Sequence, residues 1–163
     1  MPLSRALLAA AALAGALLAG CGAAPRHAAL LVAVQDYQAP GVKDLAGPRN
    51  DVQALRRLLV ERYGFAPARV RLLQDAQATR AGILAALDDL AAQATPGAQV
   101  VVHFSGHGSQ VADRSGDEAD RWDESLLAAD HARGAQHGDL LDETLGEKVA
   151  ALALLCPLTQ PMG

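Results

Sequence analysis

The chain has 163 residues, 51% of them hydrophobic and 20% charged, which is enough for one domain with a sizeable core. A formal net charge of −4 leaves no basic footprint and argues against nucleic acid as a partner. Aromatic residues make up only 3%, so stacking platforms for bases or sugars are not expected, and the two cysteines, Cys21 and Cys156, sit near opposite ends without metal-type spacing.

At the N-terminus, Arg5 precedes an apolar run from Ala6 to Leu18 and then Ala19-Gly20-Cys21. The run is shorter than the roughly 20 apolar residues that cross a bilayer, and its layout is that of a secretory signal. Leu18-Ala19-Gly20-Cys21 is similar to the lipobox of bacterial lipoproteins. That resemblance implies a signal peptide over 1–20, lipidation of Cys21 and a lipid anchor in the cell envelope. Gly22 after the cysteine goes with outer-membrane sorting, facing the periplasm or the exterior. The other reading is ordinary cleavage within Gly22-Ala23-Ala24, which leaves a soluble secreted protein. Residues 21–28 are then a linker, and 29–163 the folded domain.

The run Ala28 to Val34 is continuously apolar, the sign of a strand buried on both faces. Gln35 to Gly47 is loop-like, with Pro40, Gly41 and Gly47. Pro48-Arg49-Asn50-Asp51 opens a helix through about Tyr63, whose Val52, Leu55, Leu58 and Leu59 share a face and which Gly64 ends. Val70 to Leu73 is a second short strand, and Thr79 caps a helix to about Ala94 with periodic Ile83, Leu84, Leu87 and Leu90. Thr95-Pro96-Gly97 breaks that helix before a third strand, Val100 to Phe104. Strand, helix, strand, helix, strand at this spacing predicts parallel βαβ units, whose sites collect at the carboxyl ends of the strands. Past the third strand, Asp113, Asp117, Glu118, Asp120, Asp123 and Glu124 crowd into a loop with Gly116. A short apolar segment, Ser125 to Ala129, follows, and Leu141-Asp142-Glu143 opens a last helix, where carboxylates suit the positive end of the dipole.

The third strand stops at Ser105-Gly106-His107-Gly108, so an imidazole is held at the edge of the sheet between two glycines. Three readings compete. His103 and His107 could ligate zinc, but on a strand four residues span roughly 13 Å, and the Glu of a His-Glu-x-x-His motif is missing. His107 could be a structural histidine in a tight turn. Or it is a general base, a role that its titration near neutral pH suits. The acidic stretch Asp113 to Glu124 is not an EF-hand, since the sixth position is Glu118 rather than Gly. It is either solvated surface charge or carboxylates that a calcium ion holds together.

Four segments resemble the metacaspases, caspase-like cysteine peptidases: Asp44 to Asp51; Tyr63-Gly64-Phe65 with Leu73 to Arg80; His103 to Gln110; and Gly116 to Asp120 with Asp123 to Leu126 and Asp130. The likeness covers roughly Leu30 to Leu145. It implies an α/β fold of the caspase-like three-layer α/β/α kind, with a mostly parallel sheet that is incomplete at the C-terminal end. It also implies a cysteine–histidine dyad in which His107 activates the thiol and the Gly108 N–H helps hold the oxyanion. Asp51 and Ser105 would line an acidic pocket that selects Arg or Lys in a protein or peptide substrate. Asp123, Asp142 and Glu143 match positions that bind an activating Ca2+, with Glu143 standing where the family usually has Asp.

One departure concerns the nucleophile. The family places it in an Asp-x-Cys-His-Ser-Gly context after a further strand, and this sequence contains no such motif. Cys156 lies 49 residues after His107 (156 minus 107), close to caspase spacing, but Leu154-Leu155-Cys156-Pro157 lacks the motif and reads as the end of a helix. The expectation is a truncated, frameshifted or incomplete peptidase domain with an open sheet edge beside Val100 to Phe104. The alternative is a non-catalytic calcium- or peptide-binding lipoprotein that keeps the pocket without the chemistry, and the blandest reading is a poorly folded fragment.

Overall fold

The computed structural model describes residues 26–113, 116, 119–132 and 139–155. Its centre is β1, Ala28–Ala33, buried along its whole length. β2 (Val70–Gln74) and β3 (Val100–Ser105) flank it in the order β2-β1-β3, both parallel to it. The continuous apolar run of β1 has a direct cause: alternate residues serve opposite layers. Ala28, Leu30 and Val32 pack with Ile83, Leu87 and Leu90 of α2 (Arg80–Ala92) and with Leu152 of α3 (Asp142–Leu155). Ala29, Leu31 and Ala33 pack with Val52 and Leu59 of α1 (Pro48–Arg62). The result is the expected three-layer α/β/α arrangement.

The helix ends follow their local chemistry. Pro48 occupies the first turn of α1, where a missing N–H costs nothing. The Tyr63 N–H closes on the Leu59 carbonyl at 3.2 Å, and Gly64 turns away with φ of +73°. Thr79 caps α2, its Oγ1 accepting from the Gly82 N–H at 3.0 Å. The apolar face of α1 is narrower than its spacing implies: Val52 and Leu59 are buried, but Leu58 is 46% exposed.

Beyond the third strand the chain forms more structure than its composition announces. β4 (Gly108–Ala112), β5 (Trp122–Leu127) and β6 (Asp139–Leu141) make a second, antiparallel sheet in the order β4-β5-β6. Asp123 and Glu124, read from sequence as loop residues, therefore stand on a strand. The strand was hidden because polar residues occupy its inward positions: Asp123, Ser125 and Leu127 are buried, while Trp122 and Glu124 face outward. The expected final helix is α3, which starts at Asp142 directly after β6.

Among the described residues, β3 pairs only with β1, so its far edge is open. Between that edge and α3 runs an apolar groove of about 460 Å³ lined by Val100, Val102, Val149 and Leu152. Among the described residues no helix is long and apolar enough to cross a membrane.

Candidate active site

The three parallel strands deliver three segments to one end of the sheet: the loop after β1, Asp75 after β2, and the Gly106-His107 turn after β3. Such an end, where carboxyl termini of parallel strands converge, is where α/β folds build sites.

The loop after β1 is pinned by charge. Asp75 adopts the left-handed region at φ of +45°. There its Oδ1 accepts from the Gln35 and Asp36 N–H groups at 2.8 and 3.0 Å. Its Oδ2 accepts from Arg49 Nε at 2.6 Å, and Arg49 Nη2 reaches Asp36 Oδ2 at 2.5 Å. Burial by itself would raise the Asp75 carboxyl, but the Asp36 and Gln35 N–H groups and the Arg49 guanidinium outweigh it and hold it below the usual range. Asp75 in turn, by hydrogen bond and charge, raises the Arg49 guanidinium. Further along, Asp44 Oδ1 accepts from the Tyr37 N–H at 2.8 Å, and the Leu45 N–H donates to the Gln35 carbonyl at 2.9 Å.

The loop presents the Lys43 carbonyl to His107, whose Nε2 lies 2.7 Å away. A carbonyl can only accept, so Nε2 carries the proton, and in the neutral ring the lone pair sits on Nδ1. The Tyr37 ring stacks obliquely on the imidazole, with centroids 5.0 Å apart. Gly106 leaves room for its neighbours: a Cβ would lie 2.7 Å from the Phe104 ring and 2.8 Å from the Tyr37 hydroxyl, so either ring would have to shift to admit one.

Gly108 follows a different logic. A Cβ there would meet only the Ser125 carbonyl at an ordinary 3.6 Å, so packing does not demand glycine. Its peptide orientation follows from the register. The Leu127 N–H donates to the His107 carbonyl at 2.9 Å and the Asp113 N–H to the Arg121 carbonyl at 3.0 Å. Rungs therefore join 107 with 127 and 113 with 121, and Gly108, opposite Leu126, falls between rungs. The Gly108 N–H points away from β5, and among the described residues no strand pairs with β4 on that side, next to the imidazole.

Ser105 and Asp51, expected to share a pocket, are brought together: Ser105 Oγ donates to Asp51 Oδ2 at 2.8 Å, with Asp51 exposed in the first turn of α1. Of the residues matched to calcium, Asp123 is buried on β5, and Asp142 and Glu143 open α3. Among the described residues, however, no three carboxylate, imidazole or thiol groups gather as a metal-holding set, so these three side chains alone do not make a calcium cage. His103 stands on β3, with its Nε2 buried and lacking a hydrogen-bond partner among the described residues. Cys21, Cys156, Asp117 and Glu118 lie outside the described residues.

Sequence reasoning missed a buried polar cluster. The Asp139 carboxylate lies between His131 Nδ1 at 2.5 Å and Ser125 Oγ at 3.5 Å. The carboxylate takes both partners, so the histidine does not activate the serine, and the arrangement is not a nucleophile triad. It is a tie. Arg80 extends it, donating from its N–H to Asp130 Oδ1 at 2.7 Å and from Nε to the Asp139 carbonyl at 3.0 Å. Nothing in the local sequence marks these pairs, whose partners meet only through the fold.

A histidine oriented by a carbonyl, a free-edge N–H beside it and a Ser–Asp pair at the same sheet end are a constellation that known proteins can be compared with. The Metacaspase-1 of Schizosaccharomyces pombe is 33% identical over 123 residues, spanning 71% of this chain and 28% of that protein. The Metacaspase-1 of Yarrowia lipolytica is 38% identical over 122 residues, 71% of this chain and 26% of that one. The chain thus spans little more than a quarter of the length of these relatives. A crystal structure of a Geobacter sulfurreducens protein superposes with a TM-score of 0.64 at 29% identity, covering 78% of this chain and 46% of that one. The family model described as metacaspase, peptidase C14 domain, matches residues 27–162, and with that span the chain belongs to the metacaspase family.

Proposed function

We propose that this domain serves a cysteine endopeptidase in which His107 is the general base and acid. The observation that carries the reading is the 2.7 Å contact of His107 Nε2 with the Lys43 carbonyl. With the proton held on Nε2, Nδ1 is the atom that takes the thiol proton as the sulfur attacks a peptide carbonyl. The same proton then passes to the departing amine. The Gly108 N–H, directed off the sheet edge, is the donor for the oxyanion. The thiol is a cysteine outside the described residues. Cys156 is the candidate within this chain, in a setting that departs from the family motif.

Asp51, with Ser105 holding one carboxylate oxygen, offers negative charge to a basic side chain, which supports cleavage after Arg or Lys in protein substrates. Asp123, Asp142 and Glu143, at the β5/α3 end, would supply oxygens to a calcium ion only together with further ligands, and no step passes through the ion. Attachment to the cell envelope through Cys21 completes the proposal.

The test is hydrolysis of an Arg-containing peptide by the full chain, with and without calcium, compared across wild type, His107→Ala and Cys156→Ala. Loss of turnover in His107→Ala is the expected result. Turnover that survives this change overturns the role of His107. Calcium binding with no turnover in the wild type favours a binding module instead.

A further inference from the structure

We propose that Tyr37 is a positioning residue for His107, acting as an inserted rung of the β4/β5 ladder. In a regular antiparallel pair, residues opposite each other at a rung exchange two hydrogen bonds. His107 and Leu127 exchange one: the Leu127 N–H donates directly to the His107 carbonyl at 2.9 Å. The other is interrupted. The His107 N–H donates to the Tyr37 hydroxyl at 2.8 Å, and that hydroxyl donates to the Leu127 carbonyl at 3.3 Å. The phenol thus stands between the two strands and opens the ladder at its last rung, beside the imidazole.

Three features show that this insertion is built. Tyr37 is 8% exposed, so its hydroxyl has no solvent to fall back on. Gly106 is the residue that clears the space, since a Cβ there would lie 2.8 Å from that hydroxyl. The backbone of Tyr37 is itself anchored by Asp44, next to the Lys43 carbonyl that orients the ring. One loop therefore holds His107 twice, by its main chain through Tyr37 and by its ring through Lys43. A phenol is neutral at physiological pH in any case, and burial raises this one further against the opposing contribution of the His107 N–H, so the hydroxyl remains a donor.

The consequence is a division of labour between adjacent amides. The His107 N–H is committed to Tyr37 and cannot serve an oxyanion, which leaves the Gly108 N–H for that task. This catalytic consequence rests on the peptidase reading, whereas the inserted rung does not.

The experiment is amide exchange and imidazole NMR on the full chain as wild type, Tyr37→Phe and Gly106→Ala. In Tyr37→Phe the His107 amide should exchange at least about tenfold faster, while the Ser109 and Val111 amides stay within about twofold. The Nε2–H tautomer of His107 should give way to a mixture, and Gly106→Ala should reproduce both signatures. An unchanged His107 amide, or a uniform rise across the whole hairpin, overturns the proposal. Where the wild type hydrolyses peptide, kcat of Tyr37→Phe should fall about 10–100-fold with KM unchanged, and an unaltered kcat overturns the positioning role. If the wild type hydrolyses nothing, the peptidase reading falls, and the exchange and tautomer data still decide the rung.

Discussion

The sheet β2-β1-β3 buries Leu30, Leu31 and Val32 between helices, whereas β4-β5-β6 turns Asp123, Ser125 and Asp139 inward. In the first sheet, burial is its own reward, because each apolar side chain leaves water for a packed layer. In the second, every inward polar group needs a partner, and the partners come from elsewhere in the chain. Asp139 meets His131 and Ser125, and the Leu127 carbonyl meets Tyr37, 90 positions earlier. The apolar sheet tolerates approximate packing and supplies stability, while the polar sheet is specific and supplies orientation. His107 sits at the junction, at the end of β3 and the start of β4.

The contrast can be broken by substitution. Leu30→Ala, at a position 1% exposed, should cost about 4 kcal/mol in urea unfolding and leave the His107 contacts intact. Asp139→Ala should cost about 2 kcal/mol, since it leaves the half-buried His131 ring and the buried Ser125 hydroxyl without their partner. A negligible cost there would mean that the second sheet does not depend on its polar tie.

The smallest effect concerns Asp75. Its carboxyl is depressed in the folded protein, so its contribution is present above the unfolded value of about 3.9 and is lost as pH falls through the lower folded value. With Arg49 44% exposed, that contribution is only about 0.5–1 kcal/mol. Asp75→Asn should remove it at pH 7 and flatten the acid limb of stability below about pH 4. An unchanged acid limb in the variant would show that the loop after β1 is pinned by its backbone alone.

Much of the fold was legible in the chain because its signals are local. The continuous apolar run of β1, the Pro48 start and Gly64 end of α1, and the Thr79 cap each depend on a few neighbouring residues. The Ser-Gly-His-Gly turn was legible for the same reason, as was the family likeness of the segments around it. β4 and β6 were not, since strands of five and three residues with polar inward positions carry no clear alternation. Leu58 misled for a related reason: helical spacing defines a stripe, but the layer packed against α1 decides how wide a stripe is covered.

The sequence by itself determined the layered core and put an imidazole at the carboxyl end of β3, because hydrophobic periodicity and turn chemistry act over short range. Only the tertiary structure decided which nitrogen of His107 faces the Lys43 carbonyl, which amide Tyr37 occupies, and that Asp51 meets Ser105. Those pairings span 54 to 70 positions of chain, and hydrogen bonds at that separation exist only once the sheet has brought its strand ends together.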